Sequence, residues 1–253
     1  MISRYFQMSA VFLFVFLFNS GMSYGQDTNK TKDATVNQIL RIIPGEANQP
    51  PSDAIILFDG NNLNSWEKKD GTAADWVVHD GMFTVKPDPD GRNDLYTKQV
   101  FGDVHLHLEF KCPENDHDTG QRKGNSGIFM QGRYEIQILD SYESTTYSKN
   151  RCGSIYGQHS PLVNACRRSG EWQSYDIIFK SPRFDIEGRL TTPGKITVFQ
   201  NGVLIHDCAE IHGPTGDART TGYKESDLKQ PLVLQEHGEG DLVSFRNIWL
   251  REL

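Results

Sequence analysis

The stretch GNSGIFMQGRYEIQILDSY, residues 124–142, sets a glycine-bracketed turn before an alternating segment. From Arg133 onward polar and apolar residues alternate, with Tyr134, Ile136 and Ile138 on one face and Arg133, Glu135 and Gln137 on the other. Successive strand residues point to opposite sides of a sheet, so this period of two predicts a β-strand with one face in a core. The other face carries three hydrogen-bonding side chains in a row. An open, solvated sheet face would account for them, and so would the floor of a binding site.

Read outward from there, the same alternation returns in AIILF, DWVVH, MFTVK, VHLHLEF, GIFMQ, SYDIIF, KITVF, VLIHD, PLVLQ and VSFRNIWL. Short alternating segments separated by turn residues predict an antiparallel sandwich. Asp80-Gly81 and Asn201-Gly202 each join two such segments, and both pairs tolerate the positive φ angles of a type I′ hairpin turn. No helix-rich stretch interrupts the series, which disfavours α/β folds, and no repeat of fixed period supports a propeller. So many strands exceed an immunoglobulin-like unit and suit an all-β jelly roll of two curved antiparallel sheets. In VHLHLEF, Val104, Leu106, Leu108 and Phe110 are expected to point inward and His105, His107 and Glu109 outward. This strand and the one around Glu135 are then expected to share one polar floor.

The first residues, MISRYFQMSAVFLFVFLFNSGMSYGQ, combine an early Arg4, an apolar run from Ala10 to Phe18 and a small, polar end at Tyr24-Gly25. That layout predicts a secretory signal over residues 1–25, cut after Gly25, and a mature chain in the periplasm or outside the cell. The run falls short of the roughly 20 apolar residues of a membrane span. Residues 26–51 read as an extension in which ATVNQILRIIPGE is expected to form one short helix, with Val36, Ile39, Leu40 and Ile43 on one face. Residues 52–253 contain no Pro/Ser/Gly-rich linker and are expected to form one domain. With 26 basic against 33 acidic residues and no basic cluster, nucleic acid is a poor candidate partner. Cys112, Cys152, Cys166 and Cys208 allow one or two disulfides in an oxidising compartment, and two bridges leave three pairings open. No CxxC pair points to zinc.

Several longer pieces occur together: LFDGNNLNSW at 57–66, GNSGIFMQGRYEIQILDSY, CGSIYGQHSPLVNACRRSGEWQSYDIIF at 152–179, the hairpin NGVLI, and LQEHG with FRNIWLREL at the end. In that order they resemble the 3-keto-disaccharide hydrolase family over residues 52–253. The resemblance implies a concanavalin A-like, lectin/glucanase-type jelly roll, and an exported enzyme acting on glycosides already oxidised at C3. The implied activities are 3-keto-glucoside 1,2-lyase and 3-keto-2-hydroxy-glucal hydratase, together a net hydrolysis. Folds of this type also carry lectins and ordinary glycosidases. A non-catalytic carbohydrate-binding module and an ordinary glycoside hydrolase therefore stand as alternatives.

A carbonyl at C3 acidifies the C2 proton; a base removes it, an enediolate forms, the aglycone leaves C1 by β-elimination, and water adds to the glucal. This route needs a base near C2, a donor or cation at the C3 oxygen and an acid at the leaving oxygen. Glu135 is the expected base, because a buried floor beneath it would raise its pKa towards neutrality. Its competing role is an ion pair with Arg133. His237, in QEHG, is the second acid/base candidate, and Arg246, in FRNI, the candidate cation for the enediolate. Asn125, Arg133, Gln137 and Gln235 offer hydrogen bonds to sugar hydroxyls, with Asp140 at the end of the same strand. The long segment from Cys152 to Trp172 reads as a wall of the site: Tyr156 and Trp172 would stack on a pyranose, beside His159. No cofactor is certain from these residues. A divalent ion would suit an enediolate, and His105-x-His107 with Glu109, or Asp116-His117-Asp118, have suitable ligand types but no strong metal-site spacing.

Overall fold

The structure is a computed structural model that describes residues 39–46, 49–89, 92–114, 120–144, 148–216, 222–223, 229–238 and 241–253. The expected signal segment and the Asp116-His117-Asp118 loop lie outside the described residues. Contacts divide the chain after Arg41, and every strand belongs to the unit Ile42–Leu253. Of the helix expected in ATVNQILRIIPGE, residues 39–46 take no helical form. Ile39, Leu40 and Ile43 are exposed, so no packing supports an amphipathic turn, and Pro44 cannot extend one.

The described elements are strands β1 (Ile55–Phe58), β2 (Trp66–Lys68), β3 (Val77–His79), β4 (Met82–Thr84), β5 (Leu95–Thr97), β6 (Val104–Lys111), β7 (Ser126–Met130), β8 (Tyr134–Ile138), β9 (Gln173–Lys180), β10 (Arg183–Phe184), β11 (Leu190–Thr192), β12 (Lys195–Gln200), β13 (Val203–Glu210), β14 (Val233–Leu234) and β15 (Ser244–Glu252), with a 3-10 turn at Gly120–Arg122. The large sheet runs β13-β12-β9-β6-β15-β4-β3, with β1 also on β15; the small sheet runs β2-β5-β14-β7-β8. The strand pairs in both are antiparallel. The protein is the all-β sandwich of two antiparallel sheets that the alternation predicts. Both expected hairpins form with left-handed residues in the turn: Asp80 and Gly81 have φ of 48° and 75°, and Asn201 and Gly202 have 52° and 79°.

The two sheets meet through their apolar faces. Trp66 of β2 lies 6.3 Å from Phe83 of β4, and Tyr134 of β8 lies 5.8 Å from Phe179 of β9, ring centre to ring centre, so aromatic pairs bridge the layers. Phe83 also contacts Phe58 edge-on at 4.7 Å and stacks on Phe245 at 5.6 Å, and it has no exposed surface. Truncating such a residue typically costs about 3–5 kcal/mol. The Trp66 indole nitrogen donates to Leu57 O (2.9 Å), which satisfies its polar atom inside the core.

This topology corrects one expectation. β6 belongs to the large sheet and β8 to the small one, and both turn their apolar residues into the shared core. The polar rows His105/His107/Glu109 and Glu135/Gln137 therefore lie on opposite outer faces of the sandwich. They form two separate floors.

Candidate active site

Register builds the outer face of the small sheet. In an antiparallel pair, directly opposed residues share a face. Glu135 opposes Phe129, Phe129 opposes Val233, Val233 opposes Tyr96, and Tyr96 opposes Glu67. One row across all five strands thus carries two carboxylates and two half-buried rings, Phe129 and Tyr96. In the adjacent row Gln137 opposes Gly127, and the Gln235 backbone N–H donates to Gly127 O (3.0 Å), which extends that row into the chain after β14.

Gly127 makes room for Glu135. A Cβ built on Gly127 would lie 2.6 Å from Glu135 Oε1 and 2.9 Å from its Cγ, so the carboxylate leans across β7 into space that only glycine leaves. Glu135 is 3% exposed, and no ion pair joins it to Arg133 among the described residues. Burial is the main influence on its carboxyl; with Asp94 adding to the effect and Arg92 opposing it, the pKa is pushed up from 4.5 to about 8. The Gln137 side-chain amide lies 2.9 Å from Glu135 Oε1 and 3.1 Å from Ser126 O.

From Gln137 a chain of polar contacts runs to a histidine. The Gln137 and Asn125 amides meet at 3.1 Å, and the Asn125 amide lies 3.2 Å from His237 Nε2. On the other side of the ring His237 Nδ1 lies 2.8 Å from Asp241 Oδ2. Asp241 is itself buried and accepts the Asn125 backbone N–H through Oδ1 at 2.8 Å, so one carboxylate fixes both members of the pair. A carboxylate on Nδ1 sets the ring's orientation and favours the tautomer that leaves Nε2 towards the site. Gln121 joins the group through the Asn125 side chain, which donates to Gln121 O (2.8 Å). Beyond Gln121 opens a depression of about 400 Å³, also lined by Lys123, Asp140, Ser141 and Arg151.

Asp94, just before β5, and Glu236, just after β14, meet at the ends of those paired strands. The Glu236 backbone N–H donates to Asp94 Oδ1 (2.8 Å), and burial raises the pKa of both carboxyls. Gln235 is 7% exposed, and its Oε1 has no hydrogen-bond partner among the described residues.

The structure thus gathers Glu135, Gln137, Asn125, His237 and Gln235 on one face. Tyr156 belongs to the same edge through its backbone, whose N–H donates to Glu135 O (3.1 Å). Arg133, expected on the strand, lies in the β7–β8 turn outside β8, where its N–H donates to Met130 O (3.1 Å) and its carbonyl accepts the Thr215 N–H (2.8 Å). Asp140 is tied to Lys123 at 3.0 Å and caps a turn by accepting the Tyr142 N–H (3.2 Å), a bracing role beside the depression. His159 packs edge-on against His212 (4.8 Å) and contacts Glu210 O at 2.8 Å.

Two expected members are not brought to Glu135. Arg246 lies on the large sheet opposite Glu109 and donates to it from Nε at 2.6 Å, while its guanidinium stacks over Trp172 at 4.1 Å. Arg246 and Trp172 therefore form part of the other floor, for the topological reason given above. There His107 stacks on Trp249 (5.1 Å, 15° between planes) and binds Asp176 Oδ1 through Nδ1 at 2.7 Å. Burial opposes its charge, but Asp176 and Glu109 outweigh burial and raise its pKa to about 9. Glu109, despite burial, is held down to about 2 by His107, Asn247 and Arg246. These charges satisfy one another, and no group of three ligand-type residues among the described residues is arranged to hold a metal. Glu109, Arg246, Asn247 and Trp249 line a second depression of about 490 Å³.

Sequence reading missed Gly127, Asp94, Arg92 and Asp241. Asp241 had a legible signal, since it follows His237 by four residues in HGEGD. Asp94 had none, because it precedes β5, a three-residue strand too short to show a period.

Residues 53–251 match the sequence pattern of a family described as the 3-keto-α-glucoside-1,2-lyase-like domain. A Parabacteroides distasonis protein provisionally named a glycosyl hydrolase is 42% identical, superposes with a TM-score of 0.78, and is covered completely by 92% of this chain. Two further P. distasonis structures with the same provisional name share the fold at 18% and 22% identity, with TM-scores of 0.56 and 0.52. In each, 79% of this chain is matched, against 94% and 99% of the other protein. No curated protein matches. With the match running over nearly the whole sandwich, the chain belongs to the 3-keto-α-glucoside-1,2-lyase-like family.

Proposed function

We propose that this protein is an exported, carbohydrate-active enzyme that cleaves 3-keto-glycosides at the outer face of its small sheet. The observation that carries the reading is Glu135: a buried carboxyl with a pKa near 8, set into a gap left by Gly127 and flanked by neutral hydrogen-bonding side chains. Its ionised form takes the C2 proton, made acidic by the C3 carbonyl, and the electron pair enters the enediolate. The C1–O bond then breaks. His237, oriented by Asp241 and protonated on both ring nitrogens, supplies its Nε2 proton to the leaving oxygen. Water adds across the glucal, its hydroxyl to C1 and a proton to C2, which completes the net hydrolysis.

Asn125, Gln137 and Gln235 bind sugar hydroxyls in this scheme, and Tyr96 and Phe129 give the ring an apolar surface. Arg92, whose charge acts on both Glu135 and Asp94, takes the enediolate-stabilising role that the sequence suggested for Arg246. The export signal over residues 1–25 is part of the proposal, and no helix among the described residues is long and apolar enough to cross a membrane. Incubation with a 3-keto-glucoside tests the reading: release of the aglycone with transient ultraviolet absorbance from the glucal is expected. Binding without release would point to a carbohydrate-binding module. Equal release from the unoxidised glucoside would point to an ordinary glycosidase.

A further inference from the structure

We propose that Cys152 and Cys166 form a disulfide that staples the chain segment beside Glu135. One amide nitrogen, Gln200 Nε2, touches both sulfurs, at 3.4 Å from Cys152 and 3.3 Å from Cys166, so the two thiols share a single small site. The other cysteines are occupied elsewhere or apart. Cys112 is buried and directs its thiol to Gly124 O at 3.4 Å, and Cys208 is exposed on β13. Geometry therefore selects one pairing from those the sequence left open.

The location gives the bridge a consequence. Cys152 Sγ lies 3.1 Å from Tyr175 Oη, which donates to Gln137 O at 2.7 Å. The residues that follow Cys152 extend the small sheet past β8: the Gln137 N–H donates to Ser154 O (3.0 Å), the Gly153 N–H to Gln137 O (2.9 Å) and the Tyr156 N–H to Glu135 O (3.1 Å). Ile155 forms a bridge with Ile136. This added edge fixes the backbone that carries Glu135 and Gln137, yet it sits in a long segment with little regular structure. A bond at its start, closing the loop from Cys152 to Cys166, restrains it where it matters. The bridge is independent of the reaction proposed above and would form whatever the site binds.

Chemically the bridge forms by exchange with a disulfide such as oxidised glutathione. Cys166 is the half-buried member and meets the oxidant first: its thiolate displaces one glutathione thiolate and leaves a mixed disulfide. The Cys152 thiolate then attacks the Cys166 sulfur and releases the second glutathione. The two protein thiols lose two protons and two electrons, and the glutathione disulfide is reduced to two thiols. Cys152 suits the second step. It already lies beside Cys166 at the shared Gln200 amide, whose Nε2 still donates to it at 3.4 Å once Cys166 carries glutathione, and its thiol loses its proton as the sulfur attacks.

The full chain, treated with oxidised glutathione, alkylated and digested with trypsin, tests this. No Lys or Arg separates the two cysteines, so both fall in the peptide Cys152–Arg167. That peptide should appear unalkylated and two hydrogens light, while Cys112 and Cys208 carry label once the protein is denatured. Reduction should restore both alkylation sites and lower Tm by about 5–10 °C. Cys166→Ser should remove that redox-dependent shift, and Cys208→Ser should keep it. Four alkylated cysteines in oxidised, folded protein, or a bridge to Cys112 or Cys208, would overturn the pairing. A Tm that reduction leaves unchanged in the wild type, or lowers equally in Cys166→Ser, would overturn the staple.

Discussion

Replacing Glu135 with Gln should remove turnover and, in alkaline solution, make the protein more stable. Glu135 is 3% exposed, and burial moves its pKa from 4.5 to about 8. Below pH 4.5 the carboxyl is protonated in both the folded and unfolded chain, and its stabilising effect is fully present. Between there and about 8 the folded state keeps a proton that the unfolded state releases, so stability falls as pH rises, and above about 8 the loss is complete. At about 1.4 kcal/mol per tenfold, that gap corresponds to about 5 kcal/mol as an upper bound. Relaxation around the ionised group reduces it to about 2–4 kcal/mol. Gln has nearly the same shape and no titration. Relative to its difference from wild type at about pH 5, Glu135→Gln should gain about 2–4 kcal/mol by about pH 9, or roughly 5–12 °C in Tm. Thermal or urea unfolding of both proteins across that range measures it. A difference that stays constant with pH would refute the burial argument, and with it the reason for a base poised near neutrality.

Gly127→Ala should leave the fold intact and lower kcat by roughly tenfold or more, because the new methyl group would displace the Glu135 carboxylate from 2.6 Å; normal turnover in a crystallographically confirmed variant would count against that placement. Arg246→Ala should lower stability by about 1–3 kcal/mol through the lost Glu109 contact while kcat stays near wild type, and the reverse pattern in melting and steady-state assays would return Arg246 to the reaction. Asp241→Asn should cut kcat by roughly ten- to a hundredfold with little change in KM, since the amide keeps an acceptor for Asn125 but no longer holds His237 in one tautomer; an unchanged kcat would remove the dyad. Turnover on a 3-keto-glucoside should climb as pH rises towards about 8, following ionisation of Glu135, and a fall over that range would make Glu135 an acid instead.

The sandwich was legible because its strands are long enough to show a period: β6, β8, β9, β12 and β15 all announce themselves by alternation. β2, β5, β10 and β11 have two or three residues and did not, which is why Asp94 and Tyr96 beside β14 went unseen. Alternation tells which residues share a face of one strand and nothing about which strands share a sheet. Glu135 and Gln137 were therefore placed together correctly, while the row His105, His107 and Glu109 was assigned to the same floor when β6 lies in the other layer. Arg246 followed the same error, since β15 pairs with β6. Gly127 was invisible for another reason: its importance lies in the absence of a side chain next to one particular carboxylate, a fact that exists only once β7 and β8 are in register.

The fate of the hydrogen on C2 decides whether Glu135 abstracts a proton there. A 3-keto-glucoside carrying deuterium at C2, incubated briefly in ordinary water, should give free 3-keto sugar with solvent hydrogen at that carbon. Glu135→Gln should slow this exchange by roughly a hundredfold or more. Product that keeps its deuterium, or a Glu135→Gln enzyme that exchanges as fast as the wild type, would contradict proton abstraction by this carboxylate.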